Sequence, residues 1–267
     1  MNRISQIFSR LRKEGRKALI PYITPEFPVR GATVPVLRAA ADAGADMIEL
    51  GIPFSDPIAD GATIQHSSHV ALENGVTISA VLSAVKEFRR SSDVPVLLMG
   101  YINPILQFGI KKFAGSAKEA GVDGVIVPDL PPEEAGELMG WSRESGLSNV
   151  FMIAPTTRDD RIRLIDEAST DFSYCVSLTG VTGARASLES NGSLDAFLAR
   201  VRKIAKKPFV VGFGLSTREH VEQVWRVADG AVVGSALISR MATAQTPEDA
   251  AKAAGEFITS LRHTHGK

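Results

Sequence analysis

The sequence has a single cysteine, Cys175, in 267 residues, so no internal disulfide can form and packing alone must hold the fold. It has no surplus of either charge. Thirty Lys and Arg stand against thirty Asp and Glu, which leaves no broad field to attract nucleic acid or an anionic membrane surface. No apolar run approaches the roughly 18 residues of a membrane span. These absences point to the cytoplasm, and to small molecules or another protein as partners. A metal site is missing as well. His66 and His69 sit one helical turn apart without further ligands at matching spacing and read as a solvated helix face, while His263 and His265 fall in a polar tail.

What the chain does have is 44% hydrophobic residues in a regular alternation, and about 250 residues is the usual size of a single α/β barrel. Near the N-terminus, Arg3, Arg10, Arg12, Lys13, Arg16 and Lys17 would suit a transit peptide. However, Ile4, Ile7, Phe8 and Leu11 keep helical spacing and run into a strand without a linker, so a docked amphipathic helix is expected. Strands are then expected at 18–24, 46–50, 94–101, 124–129, 150–155, 172–177, 209–214 and 231–234. Between and after them come helices at 34–43, 81–88, 110–120, 133–145, 159–168, 194–205, 218–227 and 247–262. The strands are continuous apolar runs, as in a parallel sheet covered by helices. The expected fold is one (β/α)8 TIM barrel domain over 1–267, with the active site at the C-terminal ends of the strands. A doubly wound open sheet is the alternative, but the first strand is followed by YITPEFP and not by a Gly-rich phosphate turn.

Candidate chemistry gathers first in DMIELGIPFSDPIADGATIQ, Asp46 to Gln65. Glu49 lies inside an apolar strand, where burial should raise its pKa. Asp60 lies past the strand in a polar loop, where it should stay ionised. Two carboxylates so separated suit acid–base work near neutral pH. A strand-end charge paired with lysine and a helix cap would be the plain alternatives. The loop from Gly51 to Gly61 exceeds the usual 2 to 6 residues, which marks it for function. Three Gly-rich turns, LTGVTGAR (Leu178 to Arg185), GFGLS (Gly212 to Ser216) and Gly234-Ser235, follow neighbouring late strands and suit backbone binding of a phosphate. Tyr174 and Cys175 must face opposite sides of their strand. With Tyr174 in the barrel mouth, Cys175 is a core residue, not a nucleophile. Tyr101 ends the third strand and is expected to line the same pocket.

Over nearly its whole length the chain resembles the tryptophan synthase alpha chain family. The blocks ADMIELGIPFSDPIADGATIQ, MGYINPILQFG, GVIVPDLPPEEA, APTTRDDRI, VSLTGVTGAR, VGFGLSTREH and VVGSALI carry the likeness, in the family's order and spacing. The resemblance implies a barrel lyase that cleaves indole-3-glycerol phosphate to indole and glyceraldehyde 3-phosphate. It implies Glu49 and Asp60 as catalytic residues and Tyr174, Tyr101, Ile64 and Phe213 around the substrate. Gly183, Gly214, Gly234 and Ser235 would be the phosphate-binding backbone. Asp56 and Pro57 in the loop from Pro53 to Asp60, with Asn103 and Pro131, would face a β subunit in an α2β2 complex. No cofactor is implied in this chain; pyridoxal phosphate is expected only in the β partner. The TPEFP turn and Ala62 depart from the family's TAGDP-like turn and common proline. A stand-alone lyase, another phosphate-binding barrel and a regulatory partner of a β subunit remain as rivals.

Overall fold

The structure, a computed structural model, describes residues 2–176, 191–212 and 214–262. Its strands are β1 (Ala18–Ile23), β2 (Ile48–Gly51), β3 (Val96–Met99), β4 (Gly124–Ile126), β5 (Ser148–Val150), β6 (Met152–Ile153), β7 (Ser173–Val176), β8 (Phe209–Gly212) and β9 (Gly230–Val233). All pair in parallel, in the order β5-β4-β3-β2-β1-β9-β8-β7-β6. The two ends of that order are parted in sequence only by Phe151, whose carbonyl accepts from the Tyr174 N–H at 3.0 Å. One strand broken at Phe151 therefore closes the ring, and the eight-stranded barrel expected from the alternation results.

The helices among the described residues are α1 (Arg3–Lys13), α2 (Thr33–Asp42), α3 (Ala62–Glu73), α4 (Ile78–Phe88), α5 (Ile102–Phe108), α6 (Ile110–Ala120), α7 (Gly136–Ser145), α8 (Asp159–Ala168), α9 (Asn191–Ile204), α10 (Arg218–Trp225), α11 (Ser235–Met241) and α12 (Pro247–Leu261). Local chemistry fixes several of their ends. Thr77, Thr217 and Thr246 cap α4, α10 and α12 by accepting from the N–H groups of Ala80, His220 and Asp249. Gly121 and Gly146 end α6 and α7 at φ of +85° and +73°, where a side chain would be strained. Helices α3, α5 and α11 go beyond the expected set, and all three pack near the C-terminal rim of the barrel.

Strand residues alternate between two apolar layers. Leu19, Ile48, Leu98, Val125, Cys175, Val211 and Val233 pack outward beneath the helices. Ile20, Met47, Leu97, Ile126, Val150, Val210 and Val232 fill the barrel, and Ile4, Phe8 and Leu11 of α1 belong to that inner layer. The expected docked helix is thus a plug at the N-terminal end of the barrel. Phe8 meets Phe172 with ring centroids 5.4 Å apart, and Arg3 reaches buried Asp123 at 3.0 Å. Phe8→Ala should cost about 3 kcal/mol, because the plug cannot collapse into the space it leaves. Urea unfolding followed by circular dichroism would register this as a lower midpoint; an unchanged midpoint would mean that α1 does not close the barrel.

Candidate active site

A cavity of about 640 Å³ opens at the C-terminal ends of the strands, within the range of small-molecule sites. Glu49 lines it from β2, on the inward phase set by Met47 below it. It is fully buried, and neither carboxyl oxygen has a hydrogen-bond partner among the described residues. An anion without donors is costly there, so burial raises the Glu49 pKa to about 8. The lysine-paired alternative is therefore excluded, and the carboxyl group is mainly protonated at neutral pH.

Asp60 lines the same cavity from the end of the long loop. As expected it stays the ionised one of the two, although it is more buried than a polar loop suggested. Burial raises the Asp60 pKa to about 6, against a hydrogen bond from the Tyr101 hydroxyl that lowers it. Asp60 still ionises before Glu49, so near pH 7 the cavity holds one carboxylate and one carboxylic acid. The loop is held from behind. Tyr101 accepts from the Ala59 N–H at 2.9 Å and donates to Asp60 Oδ2 at 3.1 Å, while the Ser68 hydroxyl accepts from the Phe54 N–H at 3.1 Å. Tyr101 is 3% exposed, and its hydroxyl reaches the cavity only through the Asp60 carboxylate it supports. At the end of a strand it reads from sequence as a rim residue, but its ring turns under the loop and packs on Phe54 at 5.5 Å.

Ile64, Tyr174, Gly214, Gly234 and Ser235 all lie on the cavity wall as expected. Tyr174 sits in the inner layer and Cys175 in the outer one, so the thiol is an ordinary core group. A Cβ on Gly212 would collide with the Tyr174 hydroxyl, so the tyrosine takes its place by lying against bare backbone. Gly183, Phe213 and the turn from Leu178 to Arg185 lie outside the described residues. Tyr22, Asp129 and Arg161 line the cavity without having been singled out. For Tyr22 the signal was present: it continues the inward phase of Ala18 and Ile20.

On the outer side of the loop, Asp56 and Ile58 are exposed, with Ile58 at 78%. Pro57, between these exposed neighbours, is buried, and its carbonyl accepts from the Asp60 N–H at 3.0 Å. Asn103 is exposed and Pro131 half-buried at the cavity rim. His69 is exposed and pairs with Glu73 at 3.2 Å, as a solvated helix face should. No group of three or more His, Cys, Asp and Glu residues suited to a metal occurs among the described residues. None of their helices is long and apolar enough to cross a membrane.

A closed parallel barrel with two carboxyl groups of different acidity in a largely apolar mouth is the arrangement of a barrel enzyme, with groups suited to acid–base chemistry. The comparisons narrow that class. The model of the family "Tryptophan synthase alpha chain" matches residues 8–265. The tryptophan synthase alpha chain of Chlorobium phaeovibrioides is 49% identical over 259 residues, covering 94% of this chain and 97% of that one. Among solved structures, the alpha subunit from Legionella pneumophila superposes with a TM-score of 0.89 at 38% identity, covering 98% of this chain and 97% of that one. A chain of the α2β2 complex from Pyrococcus furiosus gives 0.84 at 43% identity, covering 91% and 97%. This chain belongs to the tryptophan synthase alpha chain family, the lyase subunit that cleaves indole-3-glycerol phosphate in tryptophan biosynthesis.

Proposed function

We propose that Glu49 and Asp60 carry out this cleavage without a cofactor. The observation that carries the reading is the buried, unpartnered Glu49 carboxyl, held protonated in the same cavity as the more acidic Asp60. Glu49 gives its proton to indole C3, which turns the ring into a leaving group. As a carboxylate it then takes the proton of the adjacent glycerol hydroxyl, the C–C bond breaks, and the bond electrons restore the aromatic ring. Indole and glyceraldehyde 3-phosphate leave, and Glu49 is protonated again. Asp60 accepts from the indole N–H and stabilises the positive charge that develops on the ring. Backbone N–H groups around Gly183, Gly214, Gly234 and Ser235 hold the phosphate and fix the register of the reacting carbons. Ile64 and Tyr174 line the pocket around the ring, and the family resemblance assigns Phe213 to the same group. The β subunit would dock over Asp56, Asn103 and Pro131.

The pH dependence of indole release tests this assignment. Asp60 must be ionised and Glu49 protonated, so kcat/KM should fall below about pH 6 as Asp60 takes up a proton and above about pH 8 as Glu49 loses one. A profile that is flat across that range would remove both roles. The same assay run with and without a β subunit separates the α-subunit reading, in which the rate rises with the partner, from a stand-alone lyase, in which it does not.

A further inference from the structure

Tyr22 takes no part in these steps, yet it lies between their two ends. On β1 it stands in register with Glu49 of β2, and the other edge of β1 pairs with β9, which runs out at Gly234. A Cβ on Gly234 would lie 3.4 Å from the Tyr22 Cβ, while one on Gly51 would run into the Tyr22 hydroxyl. The side chain therefore stretches along the cavity wall from the β9 end to the β2 end. A substrate with its phosphate at Gly234 and its reacting carbon at Glu49 must lay its glycerol chain across it.

The hydroxyl lies at the β2 end of this wall, beside the bare backbone of Gly51. Tyr22, Glu49 and Asp60 line one cavity, so a substrate bound there meets the tyrosine next to both carboxyl groups.

The geometry points to Tyr22 as a specificity-determining residue whose hydroxyl forms a hydrogen bond with a glycerol hydroxyl of the substrate, an inference resting on the reading of the site as one for indole-3-glycerol phosphate. The test compares Tyr22→Phe with the unaltered chain, each assembled with a β subunit. Two ligands are used: indole-3-glycerol phosphate, and indole-3-propanol phosphate, which keeps ring and phosphate but lacks both hydroxyls. The variant should weaken KM for the substrate roughly 3- to 10-fold, the worth of one neutral hydrogen bond, and leave the analogue's Kd within about 2-fold. Equal weakening of both ligands would mean that the ring merely packs, and no change in either would mean that the hydroxyl is idle; each overturns the inference. Failure of the underlying reading looks different, since the unaltered complex would then release no indole at all.

Discussion

Glu49→Gln should reduce indole release by at least about 10³-fold, because one group performs both proton transfers and an amide performs neither. The same variant should melt at or above the wild-type Tm at pH 7. The folded-state pKa of Glu49, about 8, lies above its ordinary 4.5, so between those values the folded chain binds more protons than the unfolded one. Stability is then lost as pH rises through that window, and a neutral amide of nearly the same shape carries no such penalty. Thermal unfolding at pH 5 and pH 8 would show the wild type weakening more than the variant. A variant that is inactive because it is unfolded, or one that keeps turnover with a raised KM, would contradict the assignment.

Asp60→Asn should lower kcat about 10²- to 10³-fold with little change in KM, the usual scale for removing one preorganised charge from a developing transition state. Geometry is not what the substitution removes. An asparagine oxygen still accepts from Tyr101, and Tyr101 still accepts from the Ala59 N–H, so the loop keeps its anchor. What disappears is the negative charge, and with it the acidic limb of the pH profile. Steady-state kinetics from about pH 5 to pH 9 would separate the two; a retained acidic limb would assign it to another group.

The barrel was legible because its strands are apolar on both faces and its helices stop at glycines such as Gly121 and Gly146. Helix α3 was harder to see, since the apolar residues of ATIQHSSHVALE do not gather on one face. Helices α5 and α11 span only seven residues each, too few to show a period. Within the site, the phase of β2 announced the burial of Glu49. The setting of Asp60 was hidden, because the hydroxyl that donates to it belongs to Tyr101, 41 positions away in the sequence.

The break at Phe151 divides labour within the ring. Strands β2 to β5, which precede Phe151 in the sequence, bear Glu49 and lead to Asp60; strands β6 to β9 bear Tyr174 and lead to the proposed phosphate-binding turns. In the proposed mechanism chemistry belongs to one arc and grip to the other, with β1 and Phe151 as the two joints between them. Variation along the chain should sort accordingly: changes at the rim of β2 to β5 should register mostly in turnover, and changes at the rim of β6 to β9, or at Tyr22 on the joint β1, mostly in how tightly the substrate is held.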